Sequence, residues 1–270
     1  MPIVELRDAA DPRVADYRGV RDPALALEGR YFIAEGRQVV AELLEGGRFP
    51  ARSVLVTPAA RDALGDALAR GLAARPGLPV YLAPPALVQD LSGFHIHQGC
   101  LAIGERRDDP PWQQVAAATR LLVLEAVGNP DNVGGLFRNA RALGAGGVLL
   151  GPGCADPLYR KAIRTSMGAA LAVPFARVDD LRATLAALGG EGRATVAATP
   201  SPRARPVREV AAAVGSRPVA LVLGHEGDGL SPAALDACEM HARIPMVAGV
   251  DSINVSAAAA VMLYELDRDG

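Results

Sequence analysis

Three glycine-bearing turns hold the residues whose types are hardest to assign to packing alone. In VLEAVGNPDNVGGLFRNARALGAGGVLL, Val123 to Leu150, an apolar strand pattern turns through Gly and Asn into a helix. Leu136, Ala140 and Leu143 recur at i, i+4 and i+7 as its buried stripe, and Arg138 and Arg141 lie off that stripe. In LVLGHEGDGLSP, Leu221 to Pro232, Glu226 stands between glycines, and Ser231-Pro232 has the form of a helix cap followed by a first-turn proline. In RIPMVAGVDSINVSAAAAVMLYEL, Arg243 to Leu266, an apolar strand end leads through a Gly-containing loop to Ser252 and Asn254. Either residue can cap the alanine-rich helix that follows.

The first turn reads as an anion or ribose-phosphate site. Asn132 is placed as the N-cap, Gly134 and Gly135 permit close backbone approach, and Arg138 supplies positive charge near the helix start. It contains neither G-x-G-x-x-G nor Gly-Lys-Ser/Thr, and no ribose-binding acid stands at the usual distance, which disfavours an ordinary doubly wound nucleotide-binding enzyme. His95 and His97 in FHIHQG share a face if the segment is extended, but no third ligand stands at suitable spacing, so loop or strand-edge histidines are preferred to a metal site. His225, next to Glu226, reads as shaping its loop rather than as catalytic. The isolated Cys100, Cys154 and Cys238 read as small buried hydrophobes, not as a disulfide framework or zinc site.

The elements that must position these turns form an α/β pattern. Before residue 104, YFIAEG, SVLVT, PVYLA and CLAIG alternate with the helical RQVVAELLEGG and PAARDALGDALARGLAA, which describes a small α/β domain. GERRDDPPWQQ breaks the pattern with adjacent prolines and five charges, as an exposed connection would. Beyond it RLLVLEAV, GGVLLG, ATVAAT, PVALVLG and ARIPM are apolar runs spaced by helices, the signature of a mostly parallel sheet covered on both faces. Ligands of such sheets bind beyond the carboxyl ends of strands, where the three turns lie. TPSPRARPV is read as a short Pro-rich surface loop.

At 270 residues and 50% hydrophobic content the chain has room for two domains. The formal net charge of −2 does not mark a polyanion partner, although a local basic patch is compatible with it. YRKAIR offers Arg160, Lys161 and Arg164 at helical spacing, either as a phosphate patch or as a solvated helix face. No apolar run approaches the roughly 18 residues of a membrane span. The N-terminal MPIVELRDAADPR carries acids where a signal peptide would be basic and then apolar, so the expected compartment is the cytoplasm.

Taken together and in this order, the three turns resemble the motifs of the SpoU (TrmH) family of RNA ribose 2′-O-methyltransferases, in the SPOUT superfamily. The first motif is matched by Asn132, Gly134 and Arg138 in NVGGLFRNA, the second by Gly224, Glu226 and the following glycines, and the third by IPM with Ser252, Asn254 and Ser256. DPLYRKAIRTSMGAALAVPF, Asp156 to Phe175, resembles the family's connecting segment. YFIAEGRQVVAELL and HQGCLAIG resemble, more weakly, the substrate-binding domain often fused to it. Ala248 stands where the family commonly has Gly, with Gly249 next to it.

The resemblance implies an RNA substrate-binding α/β domain over residues 1–106, a linker over 107–116, and a knotted α/β trefoil (SPOUT) methyltransferase domain over 117–270. It implies S-adenosylmethionine as methyl donor with no metal, a homodimer, and methylation of a ribose 2′-hydroxyl in structured rRNA or tRNA. The alternative is a non-catalytic RNA-binding protein that keeps the fold. By family match, Leu223, Gly224, Ile244 and Ile253 would hold the adenosyl group, and Arg138, Asn132, Glu226, Ser252 and Asn254 would form the catalytic group, with Asn132 orienting Arg138. The family is often described with Arg138's counterpart as the base. Neutralising an arginine of pKa about 12.5 at pH 7 costs at least roughly 7 kcal/mol, so Arg138 is read here as holding a phosphate or the developing alkoxide, with the Ser252–Asn254 group or solvent assisting proton removal.

Overall fold

The computed structural model describes residues 3–18, 30–93 and 96–267. The chain divides into two compact units, Met1–Asp108 with Leu158–Ala172, and Asp109–Pro157 with Val173–Gly270. In chain order the first unit runs β1 (Val4–Glu5), β2 (Tyr31–Glu35), α1 (Arg37–Glu45), β3 (Ala51–Val56), α2 (Pro58–Ala63), α3 (Gly65–Ala74), β4 (Val80–Leu82), α4 (Pro85–Ser92) and β5 (Cys100–Glu105). The second unit opens with α5 (Trp112–Val115), β6 (Arg120–Leu124), α6 (Pro130–Ala142) and β7 (Gly147–Leu150). The chain then passes through α7 (Arg160–Thr165) and α8 (Ala169–Ala172), which belong with the first unit. The second unit resumes with β8 (Phe175–Arg177), α9 (Leu181–Gly190), β9 (Ala194–Ala198), β10 (Arg205–Pro206), α10 (Val207–Val214), β11 (Val219–Leu223), α11 (Pro232–Ala237), β12 (Met240–Arg243) and α12 (Val255–Leu266).

The first unit is a five-stranded mixed sheet in the order β1-β4-β3-β5-β2. Its core gathers Tyr17, Ile33, Leu55, Leu101 and Ile103. Strand β2 is at the sheet edge, where α7 packs against it, as an exposed edge requires. Thus residues 158–172, which lie within the sequence range expected for the second domain, complete the first unit instead.

The second unit is a seven-stranded sheet, β10-β12-β9-β11-β6-β7-β8, with every neighbouring pair parallel. All five residues of β11 are buried, as are Leu121 to Leu124 of β6, because helices cover both faces. Side chains alternate: Leu121 and Val123 pack with Leu181, Leu185 and Leu188 of α9, while Leu122 and Leu124 supply the opposite face.

Some elements differ from the sequence pattern. PAARDALGDALARGLAA breaks at Leu64 into α2 and α3. The third motif's strand is Met240–Arg243 and ends before Ile244, so IPM is already loop. Cys100, Cys154 and Cys238 are free thiols, and burial pushes Cys100 and Cys238 up to about 12, far from reactive at neutral pH. No helix among the described residues is long and apolar enough to cross a membrane.

Arg193 fixes the amino-terminal edge of the second sheet. Only 7% exposed, it donates through Nη1 to the carbonyls of Thr119 (2.9 Å) and Val219 (3.2 Å), and through Nη2 to those of Ala116 (2.7 Å) and Ala118 (2.8 Å). Burial without a carboxylate partner among these contacts lowers its pKa, so the carbonyl dipoles must hold the charge. Arg193→Ala is expected to lower unfolding stability by about 3 kcal/mol in urea denaturation, because four carbonyls lose a charged donor at once. Arg193→Lys is expected to recover only part of the loss, since an ammonium cannot span the same fork.

Candidate active site

Strands β6 and β11 pair in parallel with Leu124 opposite Leu223, so Glu125 and Gly224 emerge side by side at the carboxyl edge of the sheet. The first turn then enters α6 three residues earlier than the sequence pattern indicates. Asn129, not Asn132, is the N-cap: its Oδ1 accepts from Asp131 N at 2.9 Å, and Pro130 occupies the first helical position. Gly134 and Gly135 therefore lie inside the helix. Their use is in packing, for a Cβ on Gly135 would collide with the Ser256 hydroxyl of α12. One turn on, Asn139 Nδ2 donates to Ser256 O at 2.6 Å and to its Oγ at 3.1 Å.

Released from capping, Asn132 joins the other two turns. Its Nδ2 donates to Glu226 Oε1 at 2.7 Å, and its Oδ1 accepts from Asn254 Nδ2 at 2.8 Å. Asn254 is the cap of α12, its Oδ1 accepting from Ser256 N at 2.9 Å and Ala257 N at 3.3 Å. A single relay, Asn254 to Asn132 to Glu226, thus ties together residues from all three motifs.

Beside this relay lies a cavity of about 740 Å³, within the range of small-molecule sites. Leu223, Gly224, Ile244 and Ile253 line it, as do Asn132, Glu226, Ser252 and Asn254. Met246 and Met262 add apolar wall, and Thr199 and Pro200 of the Pro-rich loop form another part of it, a role its sequence did not reveal. Gly224 has no room for a Cβ against the backbone of Gly229. In the third motif the left-handed residue is Gly249 (φ +86°), so the loop turns there and Ala248 needs no glycine conformation.

Arg138 is not among the lining residues. It is exposed on α6, and its guanidinium bonds no acceptor among the described residues. Asn132 does not orient it, because both ends of the Asn132 amide are engaged elsewhere. Of the expected basic patch on α7, Lys161 and Arg164 are exposed, whereas Arg160 is half-buried with Nη1 3.6 Å from Glu35 Oε2. Glu35, 3% exposed, also accepts from His97 N at 2.9 Å. Arg160 therefore neutralises a buried carboxylate of its own unit. His95 lies outside the described residues, among which no group of three His, Cys, Asp or Glu could hold a metal ion.

Glu125 is a residue that sequence reading passed over. Its Oε2 accepts from Ser231 N at 2.8 Å and its Oε1 from Ser231 Oγ at 2.7 Å, while Ser231 Oγ accepts from Ala234 N at 3.1 Å to cap α11. The carboxylate so anchors the far end of the second motif's loop. The available signal was a charge directly following the apolar run of β6. Glu125→Ala is expected to cost about 2 kcal/mol in chemical denaturation, and Glu125→Ala/Ser231→Ala only about 1 kcal/mol more, the loss of the α11 cap, because the Glu125–Ser231 interaction is already gone in the single variant.

The profile of the SpoU rRNA Methylase family matches residues 119–264, and that of the RNA 2'-O ribose methyltransferase substrate binding domain matches 33–109. An uncharacterized tRNA/rRNA methyltransferase of Mycobacterium tuberculosis is 40% identical over the whole of this chain and 93% of its own length. The 23S rRNA (guanosine(2553)-2'-O)-methyltransferase of Bacillus subtilis is 32% identical over 58% of this chain and 61% of its own. Among solved structures, the AdoMet-bound rRNA methyltransferase of Sinorhizobium meliloti superposes with a TM-score of 0.82 at 26% identity, covering 98% of both chains. With Asn132, Gly224, Glu226, Ser252 and Asn254 of the three motifs gathered at one cavity and whole-chain relatives of the same kind, this chain belongs to the SpoU family and is an RNA methyltransferase with the SPOUT α/β fold.

Proposed function

We propose that this enzyme transfers a methyl group from S-adenosylmethionine to a ribose 2′-hydroxyl of a structured rRNA or tRNA, as a cytoplasmic homodimer. The observation that carries this reading is the cavity where the Asn254–Asn132–Glu226 relay meets the apolar walls. Leu223, Ile244 and Ile253 offer the flat apolar slot that an adenine needs, and backbone at Gly224 offers edge hydrogen bonds. When bound, S-adenosylmethionine supplies an electrophilic methyl on a sulfonium.

The chain's own residues supply position and charge. Glu226 places a carboxylate in the cavity wall, which complements a cationic ligand, and Asn132 holds it there through the 2.7 Å bond. Ser252 at the same wall can accept a hydrogen bond from the 2′-hydroxyl as its proton passes to solvent, while Asn254, with both ends of its amide engaged, holds Asn132 in place. Arg138, exposed and without an internal acceptor, is suited to hold an RNA phosphate rather than to surrender its proton. Alignment of donor and acceptor can account for about 7–11 kcal/mol of such a barrier.

The RNA reading takes residues 1–106 as the substrate-binding domain, 107–116 as linker and 117–270 as the catalytic domain, of which 158–172 cluster with the first unit. On α7, Lys161 and Arg164 remain the phosphate contacts, and Arg160 supports them by its place beside Glu35. The homodimer reading is supported by α12, where Ala257, Val261 (41% exposed) and Tyr264 (70%) form an apolar stripe at i, i+4 and i+7. A second copy presenting the same stripe would bury it symmetrically.

Calorimetry is expected to show S-adenosylmethionine binding with no affinity for NAD or ATP, and mass spectrometry of RNA treated with the enzyme a 2′-O-methylated nucleoside. Methylation confined to bases would overturn the ribose assignment. Glu226→Gln is expected to lower kcat/KM by roughly tenfold to a hundredfold, the loss of one charged contact of about 1.5–3 kcal/mol. Arg138→Lys is expected to raise KM for RNA without moving the pH profile; near-normal turnover with the profile shifted to lower pH would give the base role to Arg138 instead. Tyr264→Glu is expected to shift the protein to monomer in sedimentation velocity.

A further inference from the structure

We infer that His225 is a positioning residue: its imidazole Nδ1, as an acceptor, folds the Gly224–Ser231 loop into the shape that presents Glu226 to Asn132. The inference rests on the reading of the cavity as the methyl-donor site. His225 Nδ1 accepts two backbone amides, Gly227 N at 3.0 Å and Asp228 N at 3.1 Å. A nitrogen that accepts cannot carry a proton, so the ring proton is on Nε2. The backbone closes the same hairpin, with His225 N donating to Gly229 O and Gly229 N donating to His225 O, both at 3.0 Å. Gly229 (φ +73°) makes the return, and Gly224 passes so close to it that no side chain fits between.

These contacts curl the chain around one ring nitrogen and leave Glu226 at the tip. Among the described residues, the Glu226 side chain is fixed by the bond from Asn132. That bond needs the tip held in place, since the loop is exposed on its outer side and the His225 side chain is 44% exposed. A residue without an acceptor at this position would leave the Gly227 and Asp228 amides to water and let the tip drift. Asparagine is the replacement that keeps the device, because its Oδ1 falls near the position of Nδ1 and accepts in the same way.

Three measurements on the full chain test this. Long-range proton–nitrogen NMR of histidine-labelled protein is expected to show His225 with Nδ1 unprotonated and Nε2 protonated; a protonated Nδ1 overturns the inference. Amide exchange at Gly227 and Asp228 is expected to speed up at least roughly tenfold in His225→Ala and to return toward the unaltered rate in His225→Asn. The Kd for S-adenosylmethionine is expected to rise roughly tenfold in His225→Ala, with most of the loss recovered in His225→Asn. Unchanged exchange and unchanged Kd in His225→Ala overturn the positioning role. Failure of the unaltered protein to bind S-adenosylmethionine would count against the cavity's assignment, whereas the NMR and exchange readouts judge the loop by itself.

Discussion

The parallel pairing of β6 with β11 is the constraint on which the site depends. Two strands in register, Leu121 to Leu124 against Ala220 to Leu223, must end at the same edge, so the chain leaves both at adjacent points. Residues about 100 positions apart then become neighbours: Glu125 reaches Ser231, and Asn132 reaches Glu226. The pairing is stable because both strands are wholly apolar within it and helices cover both faces. At the other edge Arg193 gathers carbonyls from the segment before β6, from β11 and from the end of α5 onto one guanidinium, which sets the starting line of the same strands.

The polar groups at the functional edge serve fold and site at once. Asn254 caps α12 with its oxygen and bonds Asn132 with its nitrogen. Ser231 caps α11 while its hydroxyl and amide are held by Glu125. Such sharing pre-organises the cavity wall, because moving any one side chain would also uncap a helix. The backbone follows the same logic: Ala126, between Glu125 and the α6 cap, holds a left-handed φ of +54°, a strained choice for alanine and one found where a chain must turn sharply into a site.

Much of this was legible in sequence because parallel strands and helix faces write periodic signals. RLLVLEAV, GGVLLG, ATVAAT, PVALVLG and ARIPM all contain strand residues of the second sheet, and the three glycine-bearing turns hold most of the cavity residues, Thr199 and Pro200 of the Pro-rich loop apart. Misreadings came where one residue type serves two purposes. Asn132 has the composition of a cap, yet Asn129 three positions earlier takes that task, leaving Asn132 free to bridge. Arg160, expected on a phosphate patch, is half-buried with Nη1 3.6 Å from Glu35 Oε2, a neighbour from a distant segment that no local pattern announces. The short β1, β8 and β10, of two or three residues each, carry too little pattern to be seen without their partners.

The sequence by itself determined the class of fold, the order of the strands along the chain and the three motifs, since each is a local pattern of hydrophobicity and turn chemistry. Only the tertiary structure decided which polar groups meet: the Asn254–Asn132–Glu226 relay, the Glu125–Ser231 anchor, and the Arg193 clamp. The physical reason is that a hydrogen bond is specified by distance and direction to within a few tenths of an ångström, while sequence separation across these pairs, 26 to 122 residues, carries no information about either. His225 lies between the two cases, adjacent in sequence to the amides it binds, yet given its role by the fold of the loop around it.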